Sequence, residues 1–125
     1  LSSLTFAIDT SGSVTSEELR TMLSEIRGIQ NTFHPKHMKI IDCDAEIHNV
    51  YDINYTTDIL SLDFSGGGGT SFEPVMEYVK ENPTQALIYF TDLHANVPID
   101  PKIPVLWICT SDAKEMPFGK TVYFN

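Results

Sequence analysis

The sequence predicts an α/β fold: an open, mostly parallel sheet with one antiparallel edge strand and helices on both faces. Three observations predict it. Short, near-continuous apolar runs at 4–8, 86–91 and 105–109 have the pattern of strands buried on both faces. Stretches of helical period separate the runs in the first two thirds of the chain, the order that builds parallel crossovers. At 125 residues and 42% hydrophobic, the chain fits one domain (1–125) able to bury a core without staples.

The first run, Leu4-Thr5-Phe6-Ala7-Ile8, ends at Asp9 and passes into the polar loop Thr10-Ser11-Gly12-Ser13-Val14. Thr15 then stands as a helix N-cap, with Glu18 three residues on completing a capping box. Leu19, Met22, Leu23, Ile26, Ile29 and Phe33 keep helical spacing, so the first helix runs to Thr32 or Phe33 and Pro35 stops it. Residues 39–43 form the second strand, and the alternating stretch 45–51 returns as its antiparallel hairpin partner. A short edge strand is expected at 59–62. After the glycine run Gly66-Gly67-Gly68-Gly69, a second helix buries Phe72, Val75, Met76 and Val79, tolerates Pro74 in its first turn and ends before Pro83. Strands follow at 86–91, 105–109 and 121–124, and the prolines between 93 and 104 exclude a long helix there.

Eight basic against seventeen acidic residues give a net charge of −9, so nucleic acid and anionic membranes are poor partners and a cation is a natural one. No apolar run approaches the roughly 18–20 residues that span a bilayer. Cys43 and Cys109 sit inside apolar strands and read as buried free thiols, consistent with a reducing, cytoplasmic setting. The chain opens on Leu1-Ser2-Ser3 without an initiator Met, which predicts a domain of a longer protein.

Chemistry concentrates in three segments. Asp9-Thr10-Ser11-Gly12-Ser13 can turn three oxygen-bearing side chains toward one point, with Gly12 allowing the curvature. Gly69-Thr70-Ser71 presents a hydroxyl on a loop able to approach closely, and Thr91-Asp92 ends a buried strand. In open α/β sheets ligands bind beyond the carboxyl ends of the strands, and Asp9 and Asp92 both fall on that edge. The predicted metal site is therefore Asp9, Ser11, Ser13, Thr70 and Asp92, an all-oxygen set suited to Mg²⁺ or Mn²⁺. Each segment alone has a plainer reading as a cap, a turn or a flexible loop; their joint occurrence carries the inference.

These segments resemble the von Willebrand factor type A domain, whose metal-ion-dependent adhesion site is spelled Asp-x-Ser-x-Ser, a distant Thr and a distant Asp. Ile41-Asp42-Cys43-Asp44-Ala45, the segment from Gly67 to Pro74 and Pro117-Phe118-Gly119 are similar to a bacterial group of such domains, C-terminal to a predicted zinc metallopeptidase. The resemblance covers essentially the whole chain and implies a Rossmann-like fold. It also implies direct binding of the ion by the two Ser hydroxyls, direct or water-mediated binding by Thr70, and action of the two Asp largely through water. The ion then stays under-neutralised until a protein partner supplies an Asp or Glu. It implies no enzyme in this domain, although a metallopeptidase-like domain is expected N-terminal to it in the same protein. Two departures stand out: Leu93 and His94 follow Asp92 where many relatives have Gly, and no C-terminal helix is predicted, which removes the basis for an adhesion-type shape switch.

Other readings are weaker. Ser11 interrupts the Asp-Thr-Gly of aspartic proteases, and the glycine run lacks the Lys of a phosphate-binding loop. His34, His37, His48 and His94 are too scattered to predict a zinc cluster. Asn54-Tyr55-Thr56 matches the glycosylation pattern, which arises often by chance. Two function classes rival metal-dependent docking: a metal-free scaffold with a vestigial site, and a metal-dependent hydrolase using Asp42 or Asp44 as base.

Overall fold

The computed structural model describes residues 3–123. Its elements are β1 (Ser3–Asp9), α1 (Ser16–Phe33), β2 (His37–Cys43), β3 (Ile47–Ile53), α2 (Glu73–Glu81), β4 (Ala86–Thr91), β5 (Val105–Cys109) and β6 (Lys120–Tyr123). They form one six-stranded sheet in the order β3-β2-β1-β4-β5-β6. Every neighbouring pair is parallel except β2 with β3, so the open, mostly parallel sheet with an antiparallel edge is the observed architecture.

Side-chain alternation along the strands feeds two cores. Leu4, Phe6, Ile8, Ile40 and Phe90 pack with Met22, Leu23 and Ile26 of α1. Ala7, Ile41, Leu87, Tyr89 and Trp107 pack with Phe72, at the N-cap of α2, and with Val75, Met76 and Val79 of that helix. The helices thus cover opposite faces, as strands apolar on both sides require. In the second core Phe72, Tyr89 and Trp107 form a mutual aromatic cluster with centroids 5.1–5.2 Å apart.

Local chemistry sets the helix ends. Thr15 accepts from the Glu18 amide and Glu18 Oε1 accepts from the Thr15 amide, so the expected capping box is present. At the other end His34 takes a left-handed conformation at φ 44° and closes α1. Pro74 occupies the first turn of α2, where its missing N–H costs no hydrogen bond.

The structure corrects several expectations. Residues 59–62 are not an edge strand: Asp58 caps a single 3-10 turn, Ile59–Ser61, by accepting from the Leu60 amide. Ile59 is drawn down into the α1-side core while Leu60 faces solvent, and β3 already forms that sheet edge. Phe33 does not join the apolar face of α1; it is 58% exposed. The buried position one turn earlier belongs to Gln30, whose side-chain amide donates to the carbonyls of Asn54 and Thr57. The hairpin strand begins at Ile47 rather than Ala45, because Asp44 Oδ1 takes the Glu46 amide and turns the chain there. The last strand is Lys120–Tyr123, and Phe124 of the expected segment lies outside the described residues.

Candidate metal centre

The chain leaves β1 through α1 toward β2 on one side, while β4 leads to β5 and β6 on the other. The point where strand order reverses therefore lies between β1 and β4, where open α/β sheets offer a crevice. Asp9 ends β1 and Asp92 directly follows β4.

Asp9 is fully buried. Its Oδ1 accepts from the Ser11 amide at 2.9 Å and its Oδ2 from the Thr91 hydroxyl at 2.6 Å, so the loop after β1 and the end of β4 share one carboxylate. Ser11 Oγ lies 3.2 Å from Ser13 Oγ, and Ser13 Oγ donates to Asp92 Oδ2 at 2.6 Å. Asp92 Oδ1 accepts from the His94 amide at 3.0 Å. Four of the five expected residues are thus linked in one hydrogen-bonded chain.

Thr70 joins less directly. It is half-buried, and its hydroxyl has no hydrogen bond among the described residues. Its loop is fastened to the first one: Gly12 N donates to Gly68 O at 3.0 Å and Gly67 N to Thr10 O at 2.8 Å. The Thr10 hydroxyl donates to Ser65 O at 2.6 Å.

Asp9, Asp42, Asp44 and Asp92 are all buried at this edge, and among the described residues their only ion-pair partners are His48 and His94. Buried charges are ordinarily paired, or they coordinate a metal. Among the described residues no group of three or more His, Cys, Asp or Glu side chains is disposed to share an ion. A metal here would depend on the hydroxyls, and three hydroxyls with two carboxylates suit a hard divalent cation.

Residues 4–125 match the family described as VWA-like domain (DUF2201). The chain belongs to that family. Over 93 residues it is 28% identical to an uncharacterized protein of Thermotoga maritima, a match covering 74% of this chain and 23% of that protein. The chain thus spans about a quarter of that relative's length. Two solved structures are similar. An aerotolerance-related membrane protein from Bacteroides fragilis superposes with a TM-score of 0.62 at 12% identity, over 94% of this chain and 73% of that one. The ArnB paralog VWA2 from Sulfolobus acidocaldarius superposes with a TM-score of 0.64 at 18% identity, over 88% of this chain and 35% of that one. At these identities the likeness is one of fold.

In this VWA-like domain the position after Asp92 keeps the backbone that glycine favours: Leu93 has φ 64°. Its amide donates to Thr91 Oγ1 at 3.1 Å and its side chain is buried in the α2-side core, which holds the strained conformation in place.

Several working residues escaped the sequence reading. Thr91 orients Asp9, and Thr10 ties the two loops. Asp42 and Asp44, considered as bases, each hold backbone amides. Asp42 accepts from Asn49 N, Asn49 Nδ2 and Ser65 N. Asp44 accepts from Glu46 N, Gly68 N and the His48 ring. Burial alone would raise the Asp44 pKa, but these hydrogen bonds and the nearby imidazole outweigh it and hold the carboxyl below the ordinary 3.8. The available signal was two acidic residues at the end of an apolar strand, where a carboxylate must find donors.

Proposed function

We propose that this VWA-like domain binds Mg²⁺ or Mn²⁺ through Ser11, Ser13 and Thr70, with Asp9 and Asp92 acting largely through water, and docks a protein partner that presents an Asp or Glu. The observation that carries the reading is the convergence of Ser11 Oγ, Ser13 Oγ and Asp92 Oδ2 beside the buried Asp9 carboxylate. A bound divalent ion would supply a Lewis-acidic position for an incoming carboxylate. The protein's own residues do the rest. Asp9 fixes the Ser11 backbone, Thr91 fixes Asp9, and the glycine loop carries Thr70 to the same edge.

A docking module is favoured over a hydrolase because Asp42 and Asp44, the carboxylates considered as bases, are engaged by loop amides and side-chain donors. The net charge of −9 favours a protein partner over nucleic acid or an anionic membrane surface, and no helix among the described residues is long and apolar enough to cross a membrane. The proposal includes a cytoplasmic setting and a metallopeptidase-like domain in the same protein. A metal-free scaffold is the second reading, favoured by the 2.6 Å bond in which Ser13 and Asp92 satisfy each other.

Thermal melts with and without millimolar Mg²⁺ or Mn²⁺ separate the two. At a hundredfold excess over Kd, binding to the native state adds about 2.7 kcal/mol, a rise of roughly 10 °C for a domain of this size. Thr70→Val is expected to remove most of that rise while leaving the metal-free Tm nearly unchanged. A wild-type melt indifferent to both ions would select the scaffold.

A further inference from the structure

Asp44 holds the Thr70 loop on both sides of Thr70. Its Oδ2 accepts from Gly68 N at 3.0 Å, and its main-chain carbonyl accepts from Ser71 N at 3.1 Å. The contact with Gly68 is close: a Cβ there would lie 2.8 Å from Asp44 Oδ2, so the carboxylate would have to shift to admit a side chain. Asp44 is itself held. Its Oδ1 accepts from Glu46 N at 3.1 Å and lies 2.8 Å from His48 Nε2, and its own amide donates to Glu46 O at 3.0 Å. The pairing of β2 with β3 shifts register between Asp42 and Cys43, just before the hairpin turn that carries Asp44. The Thr70 hydroxyl has no hydrogen bond of its own among the described residues, so backbone contacts set its position.

We propose that Asp44, braced by His48, is a positioning residue that sets the cation affinity of the edge site through Thr70 without touching the ion. The inference rests on the metal reading above. Its physical basis is the Gly68 hydrogen bond. Asp44→Asn is isosteric, but with its oxygen on Glu46 N and His48 it turns an NH₂ toward the Gly68 N–H, so two donors face each other and the loop is released. Charge-assisted bonds that backbone amides donate to a carboxylate are the stronger kind, and the carboxyl stays ionised below the ordinary range.

The test is Mn²⁺ binding by the whole chain, read by water-proton relaxation, for wild type, Asp44→Asn, His48→Gln, Thr70→Val and the Asp44→Asn/Thr70→Val double variant. Amide exchange at Gly68 and Ser71 is read in parallel. We expect Asp44→Asn to weaken Mn²⁺ binding roughly 10- to 100-fold, the range typical when a residue orienting a ligand is lost. His48→Gln should weaken it less, and both variants should speed exchange at Gly68. In the Thr70→Val background Asp44→Asn should have little further effect, because it acts through that hydroxyl. A merely structural role for Asp44 would give additive losses and overturn the proposal. Wild-type binding that Asp44→Asn leaves unchanged overturns it alone. A wild type that binds no Mn²⁺ overturns the metal reading and this role with it.

Discussion

Ser13 Oγ donates to Asp92 Oδ2 across 2.6 Å and so joins the loop after β1 to the loop after β4, over the point where strand order reverses. Their residues are 79 positions apart in sequence. A double-mutant cycle of Ser13→Ala and Asp92→Ala in urea, without metal, should give a coupling of about 2 kcal/mol, the worth of one hydrogen bond to a carboxylate. With saturating Mg²⁺ the coupling should grow, because either single change then also removes the stabilisation supplied by the ion. A coupling of the same size in both conditions would favour the metal-free scaffold.

Asp9 should matter to the fold whether or not metal is present. It is fully buried, and Asp9→Ala would strand the Thr91 hydroxyl and the Ser11 amide. Unsatisfied buried donors cost about 1–3 kcal/mol each, so a loss of about 2–6 kcal/mol is expected in metal-free urea denaturation. A variant as stable as wild type would show that Asp9 is not the anchor of these loops.

The strand-edge placement of Asp9 and Asp92 was legible in the sequence because both follow apolar runs of strand length. The direct links among Asp9, Ser11 and Ser13 follow from a five-residue segment whose composition already implies a turn. What could not be read were contacts that depend on long-range register. Thr91 faces Asp9 because β1 and β4 pair in parallel, and Asp44 meets Gly68 across 24 residues. Phe33 and Gln30 show the same limit from the core side. Helical spacing predicted a buried Phe33, yet the position that meets the 54–57 turn is Gln30, and burying an amide there satisfies two backbone carbonyls. Gln30→Leu should therefore destabilise by about 1–3 kcal/mol despite adding apolar surface, whereas Phe33→Ser should fall within about 0.5 kcal/mol of wild type. Equal effects at the two positions would contradict the observed face of α1.

The glycine run is not uniformly constrained. A Cβ at Gly66 would run into the carbonyl of Thr10, whereas one at Gly69 meets nothing within 4 Å. Gly66→Ala should force the two loops apart, costing about 1–3 kcal/mol and weakening any metal-dependent rise in Tm. Gly69→Ala, immediately before Thr70, should stay within about 0.5 kcal/mol of wild type. If Gly69→Ala were the more damaging change, the Gly66–Thr10 approach would not be what shapes the loop.

Cys43 lies beneath this edge, 3.2 Å from the Tyr89 hydroxyl. Burial pushes its thiol from 9.0 up to about 12; the hydrogen bond to Tyr89 opposes the shift, and the carboxylates of Asp9, Asp42 and Asp44 add to it. The folded chain therefore keeps a proton that the unfolded chain gives up near pH 9. The stability this contributes is complete below that pH and is lost as pH rises toward 12. Tyr89, also held well above its ordinary 10.0 by burial, acts in the same direction. Stability measured by urea denaturation should thus fall between pH 9 and pH 11, and less steeply in Cys43→Ala. Iodoacetamide at pH 8 should leave Cys43 unmodified in the native protein and label it in urea, because the reactive species is the thiolate. Rapid labelling of Cys43 under native conditions would mean that the thiol is neither buried nor held protonated, and that the carboxylate-rich edge above it is more open than the hydrogen bonds of Asp9 imply.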